Sequence, residues 1–145
     1  MSFLRKMENK VFFHDECGFQ LMHVEERKKW ILKCVKMEQK AVENLNFIFC
    51  SDAYLLEKNR QFLNHNTYTD IITFDYCKGQ LIIGDVFISI DRVKENAESF
   101  KVHFEKELDR VLVHGVLHLL GYKDKSDQEK IQMREKEEFY LSLRA

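Results

Sequence analysis

The residues best suited to chemistry lie together, in His114-Gly115-Val116-Leu117-His118-Leu119-Leu120-Gly121-Tyr122-Lys123-Asp124. On a helix each residue advances about 100° and about 1.5 Å, so His114 and His118 project from one face about 6 Å apart along the axis. That spacing suits two nitrogens on one metal ion. Gly121 can take the left-handed cap that ends a helix without steric penalty, and the chain can then fold back to bring Asp124 to the same point. Three protein ligands leave one position open, which fits Lewis-acid or hydroxide chemistry and not a structural zinc closed by four. The competing reading is two histidines at the edge of an apolar stripe, hydrogen-bonded in the core, with Asp124 a turn residue.

The elements that must position these residues follow from periodicity. A helix beginning near Phe104 carries Leu108, Val111, Leu112, Gly115 and Leu119 on its buried side, and its final turns hold the histidines. Counting 100° per residue puts Glu107 in one row with His114 and His118, either beside the metal or as an exposed partner of a neighbouring cation. Ile71 to Tyr76 reads as a strand, Cys77-Lys78-Gly79-Gln80 as a turn, and Leu81 to Ile90 as its antiparallel partner. Parity along that partner places Ile82, Gly84, Val86, Ile88 and Ile90 on one face, with Leu81, Ile83, Asp85, Phe87 and Ser89 on the other. Gly84 marks a bulge or a close backbone approach.

Upstream, Val11-Phe12-Phe13 is a short strand, and Val24 to Lys40 a helix with Trp30, Ile31, Cys34, Val35 and Met37 as core positions. Leu45 to Cys50 is a strand, and Ser51-Asp52 caps a helix running to about Leu63. The segment 64–70 is loop-like. Asp91 caps a helix from Arg92 to about Phe100. After the histidines, Ser126-Asp127-Gln128-Glu129 has the form of a capping box, and the closing helix packs through Ile131, Phe139 and Leu143. The expected fold is α+β: a single domain over residues 1–145, with a mixed four-stranded sheet packed by about five helices and the metal-site helix followed by a glycine turn.

Composition narrows the function classes. With 23 Lys and Arg against 24 Asp and Glu, the formal net charge is −1, so any polyanion binding must be local. Cys17, Cys34, Cys50 and Cys77 are spread without a Cys-x-x-Cys pair, which fits reduced thiols and not a zinc ribbon or a disulfide framework. No membrane-length apolar run and no signal-like segment at Met1 to Glu8 is seen, so the expected location is the cytoplasm. Proline is absent, leaving turns to Gly, Asn and Asp.

The histidine stretch closely resembles the signature of the YbeY family of bacterial metal-dependent endoribonucleases, usually His-Gly-x-Leu-His-Leu-x-Gly-x-Asp-His. Here the last two positions are Lys123 and Asp124. Leu63-Asn64, Thr69 to Phe74 and Gly84 to Ile88 resemble the family's other blocks in the same order, so roughly the second half of the chain is covered. The family tends to carry an arginine in the loop before the Thr-Asp block; this shorter loop has none, and His65 is its nearest basic residue. The resemblance implies His114, His118 and Asp124 as ligands of one zinc ion, with harder divalent metals somewhat favoured by the carboxylate. It also implies an enzyme that cuts single-stranded RNA, acting with the ribosome or ribosomal proteins in 3′-end maturation of small-subunit (16S) ribosomal RNA and in ribosome quality control.

The expected mechanism is polarisation of a phosphoryl oxygen by the metal together with activation of its water. Asp85 and His65 are the expected catalytic side chains, Asp85 ranked first and Glu107 a lesser candidate. A zincin peptidase would have glutamate directly after the first histidine, where this chain has Gly115; its small size would let a sugar-phosphate backbone approach. Arg92, Lys94, Lys101, Arg110, Lys123 and Lys125 are the candidate phosphate contacts. The rival classes are a metal-dependent hydrolase of a non-RNA substrate and a non-catalytic ribosome-associated binding protein. Oligomeric state is not legible.

Overall fold

The computed structural model describes residues 10–63 and 69–144. The element order is β1 (Val11–Asp15), α1 (Val24–Met37), β2 (Ala41–Cys50), α2 (Asp52–Leu63), β3 (Ile71–Asp75), β4 (Leu81–Ser89), α3 (Ile90–Phe100), α4 (Phe104–Leu119) and α5 (Asp127–Ser142). The sheet order is β1-β2-β4-β3. β1 and β4 both run parallel to β2, and β3 pairs antiparallel with β4, so the sheet is mixed. The expected α+β fold is therefore found, with four strands, five helices and the β3–β4 hairpin among the described residues. No helix among the described residues is long and apolar enough to cross a membrane.

Register sorts the side chains into two layers. Val11, Leu45 and Gly84 form one cross-strand row and Phe13, Phe47 and Val86 the next, all on the face buried beneath the main helical core. Trp30, Ile31, Cys34 and Val35 of α1 pack there with Leu108, Leu112, Val116 and Leu119 of α4. The opposite face presents Phe12, Asn46, Asp85 and Phe74 in a row, and a smaller cluster of Cys50, Leu55 and Ile72 lies under α2 with Phe74 and Phe87. α4 is thus clamped between the sheet and α5, which fixes its histidine-bearing end.

Several boundaries differ from expectation for identifiable reasons. α1 stops at Met37 instead of Lys40 because Gln39 takes φ 62° and closes a Schellman turn, its N–H donating to Lys36 O and that of Lys40 to Val35 O. With no glycine there, nothing in residue type signals the stop, and Met37 emerges half exposed instead of in the core. β2 accordingly begins at Ala41, four residues early, with a register shift between Val42 and Asn44. Ser89, not Asp91, caps α3 by accepting from Arg92 N at 3.1 Å. Asp91 instead accepts from Asp52 N at 2.9 Å, so the start of α3 helps to cap α2, where Ser51 Oγ accepts from Tyr54 N. The expected capping box of α5 is present, but its buried face is Met133, Glu137 and Tyr140. Ile131 and Phe139 point to solvent, and only Leu143 of the expected set packs on the core.

Candidate metal centre

α4 ends as its glycine requires. Gly121 has φ 107°, its N–H donates to His118 O at 3.0 Å, and Tyr122 N–H donates to Leu117 O at 3.0 Å. This is a Schellman turn, and the left-handed glycine reverses the chain so that Asp124 returns over the histidines. The Nε2 atoms of His114 and His118 stand 3.0 Å apart. Asp124 Oδ2 lies 3.3 Å from each. Three ligand atoms at 3.0–3.3 Å match the edges of a tetrahedron whose metal bonds are about 2.0–2.1 Å, since such an edge is about 3.3 Å. His114, His118 and Asp124 therefore form a group able to hold a metal ion.

The hydrogen bonds behind the rings make the same point. His118 Nδ1 faces Tyr122 O at 3.1 Å, and His114 Nδ1 faces Glu137 Oε2 at 2.6 Å. A carbonyl and a carboxylate only accept, so each ring carries its proton on Nδ1 and turns an Nε2 lone pair inward. Burial, reinforced by the neighbouring His114, pushes the His118 imidazolium to ionise below its ordinary range, which favours the neutral ring a metal needs. Two lone pairs and a carboxylate oxygen converge without a donor between them, the environment a cation satisfies. Side-chain exposure rises from 15% at His114 through 28% at His118 to 38% at Asp124, so the group opens to solvent on the Asp124 side.

The other expected site residues are placed differently. Glu107 is 2% exposed and does not reach His114; its carboxylate accepts from Arg110 Nε at 2.9 Å and Nη2 at 2.5 Å. The alternative of an exposed Glu107 also fails, although its cationic partner is found. Arg110, expected as a phosphate contact, is spent internally: beyond Glu107 it donates to Glu137 Oε1 at 3.4 Å and lies 3.7 Å from Asp70 Oδ2. Arg92 likewise donates to Asp52 Oδ2 at 2.8 Å.

Asp85 is on the sheet face away from α4. A Cβ on Gly84 would meet the Leu119 side chain at 2.8 Å, so α4 covers the Gly84 side, and parity turns Asp85 to the other. There it accepts from Asn46 Nδ2 at 3.2 Å. Asp85, expected as a catalytic side chain, thus lies on the sheet face opposite the one that α4 covers. Gly84 itself is a close approach and not a bulge. Gly115 also faces the sheet, where its Cβ would lie 2.8 Å from Val86 Cγ1, so its small size serves helix packing and not substrate access. His65 and Asn64 lie outside the described residues.

Two partners of the histidines were not anticipated: Glu137 and the Tyr122 carbonyl. Asp70 is a third neighbour, its acidity weakened by burial although Arg110 and His114 oppose the shift. Glu137 had one readable signal. It shares a helical stripe with Met133 and Tyr140, and a carboxylate on a buried stripe must have a partner.

Comparison with known proteins gives matches along nearly the whole chain. A model of the family described as Endoribonuclease YbeY matches residues 13–144. A protein named Endoribonuclease YbeY from Cytophaga hutchinsonii is 52% identical over 96% of this chain and 98% of its own length. Another so named, from Flavobacterium psychrophilum, is 50% identical over 92% and 95%. A solution structure of a Thermotoga maritima protein superposes with a TM-score of 0.68 at 32% identity, covering 91% of this chain and 87% of that one.

Proposed function

The chain belongs to the endoribonuclease YbeY family, and on that premise we propose that it is a cytoplasmic, single-strand-specific, metal-dependent endoribonuclease. Its role is 3′-end maturation of small-subunit (16S) ribosomal RNA and ribosome quality control, in association with the ribosome or its proteins. The observation that carries this reading is the convergence of His114 Nε2, His118 Nε2 and Asp124 Oδ2 at 3.0–3.3 Å. Two imidazoles and a carboxylate favour zinc among the common divalent ions, one per chain.

Held by His114, His118 and Asp124, such an ion would supply Lewis acidity toward a phosphodiester and would lower the pKa of water at the site, making hydroxide available near neutral pH. The chain's own residues prepare that chemistry. Tyr122 O holds the His118 proton on Nδ1, and Glu137 Oε2 faces the corresponding atom of His114. Asp124, the most exposed of the three, stands where a strand of RNA would arrive. Exposed Lys123 and Lys125 flank it and are the nearest phosphate contacts in sequence. His65 is kept as the proposed proton carrier, while Asp85, on the far face, is not.

The test is cleavage of single-stranded RNA by metal-analysed protein, with and without chelator. Activity is expected to vanish on chelation and return with zinc, and RNA affinity should fall linearly with salt on logarithmic axes. Zinc-loaded protein that leaves RNA intact, yet hydrolyses a peptide or small phosphoester, would move the chain to the rival hydrolase class. Ribosomal RNA binding that persists without any metal-dependent cleavage would make it a binding protein.

A further inference from the structure

We infer that Glu137 is a positioning residue of the metal centre, fixing His114 with its proton on Nδ1 and its Nε2 turned to the ion, and that Arg110 holds Glu137 in place. This rests on the metal centre of the proposed function and not on its substrate. Glu137 comes from α5, an element that supplies none of the three ligands. It is 6% exposed, and an isolated buried carboxylate is costly, so its contacts determine why it is tolerated. Oε2 lies 2.6 Å from His114 Nδ1, in the range of charge-assisted hydrogen bonds, and Oε1 accepts from Arg110 Nη1 at 3.4 Å.

Arg110 is itself braced by Glu107, which offers both oxygens from one turn earlier on α4. Without Glu137 the His114 ring is free to exchange its proton to Nε2 or to turn about its Cβ–Cγ bond. Either change withdraws a lone pair from the metal. A carboxylate on Nδ1 prevents both and raises the basicity of the ligating nitrogen. His118 is held by the Tyr122 carbonyl, a backbone group that α4's own turn supplies; His114 has no such turn and depends on the neighbouring helix.

The experiment compares the zinc dissociation constant, by chelator competition, of the full chain with those of Glu137→Gln, Glu137→Ala and the exposed-neighbour control Glu138→Gln. The Nδ1 proton resonances of His114 and His118 are recorded in the zinc-loaded proteins. Removing Glu137's charge is expected to weaken zinc binding about 10- to 100-fold. The His114 Nδ1 proton should move upfield in Glu137→Gln and be lost to exchange in Glu137→Ala, with the His118 proton unmoved and Glu138→Gln like wild type. Glu137→Gln keeps the size and one acceptor oxygen, so it carries the test even where Glu137→Ala fails to fold. A folded Glu137→Gln with wild-type zinc affinity and an unshifted His114 proton overturns the inference. If the wild type binds zinc and the variants weaken it while RNA stays uncut, the inference stands and the endoribonuclease reading falls.

Discussion

His114 Nε2 and His118 Nε2 face each other at 3.0 Å with their protons held on the opposite nitrogens, an arrangement that repels unless a cation lies between. Their four-residue spacing is enough to foresee the pair, because helix geometry is local. The expected outcome of His114→Ala or His118→Ala is a folded chain without stoichiometric metal and without RNA cleavage, since two ligands do not complete a catalytic zinc site. Metal analysis and circular dichroism check this together; a wild-type content well below one ion per chain, unchanged by either substitution, would refute it. Asp124 carries a more discriminating test. Its carboxylate is harder than the imidazole usual at this family position, so Asp124→His should raise the preference for zinc over manganese by about tenfold or more in paired titrations.

At the scale of elements, the metal helix is positioned by two absent side chains. A Cβ on Gly84 would sit 2.8 Å from both Leu119 Cδ2 and the Phe74 carbonyl oxygen, and one on Gly115 2.8 Å from Val86 Cγ1 and 3.0 Å from Ile71 Cδ1. Overpacking of this kind costs about 1–3 kcal/mol. In the helix, Ala regains up to about 1 kcal/mol of propensity over Gly, and Gly115 meets only side-chain tips that can shift. Gly84 meets backbone, which cannot. Gly84→Ala is therefore expected to destabilise more than Gly115→Ala in urea unfolding, and to weaken zinc binding as Leu119 pushes the end of α4 outward. Equal stabilities would contradict it. What was legible at this scale had a local cause: the α4 stripe, the Gly121 stop, the β3–β4 hairpin and the Ser126 capping box all have residue-type signals. Glu137 differs from Glu135 and Glu138 in sequence only by sharing a stripe with Met133 and Tyr140, and packing of α5 on α4 decides that this stripe, not that of Ile131 and Phe139, is the buried one. The end of α1 escaped notice because Gln39 adopts a conformation that residue type assigns to glycine. Asp85 shows the limit of parity, which separated the two faces correctly but could not say which one α4 would cover.

Across the whole molecule, one carboxylate ties together parts far apart in sequence. Glu38, just past α1, accepts from the Tyr122 hydroxyl at 2.6 Å, from the Tyr140 hydroxyl and from Lys136 Nζ at 3.2 Å. It joins the first helix to the turn behind the metal helix and to α5. Burial alone would raise its pKa, but the hydrogen bonds from Tyr122 and Tyr140, with the Lys136 ammonium, outweigh it and leave Glu38 below its ordinary value of 4.5. A folded pKa below the unfolded one means that the stabilisation is complete above about pH 4.5. It is lost as pH falls through the lowered folded value, because the unfolded chain then binds the proton more readily. Glu38→Gln removes the titrating group while keeping its shape. It should lower stability at pH 7 by about 1–3 kcal/mol, the worth of hydrogen bonds to a charged group, and flatten the acid side of the stability profile. Urea midpoints from pH 7 down to pH 3 measure both effects: the variant and wild type are expected to converge as pH falls, and parallel curves would show that Glu38 does not carry the coupling. Because the same carboxylate braces Tyr122, whose carbonyl holds the His118 proton, the variant should also weaken zinc binding at pH 7, linking the cohesion of distant helices to the metal centre.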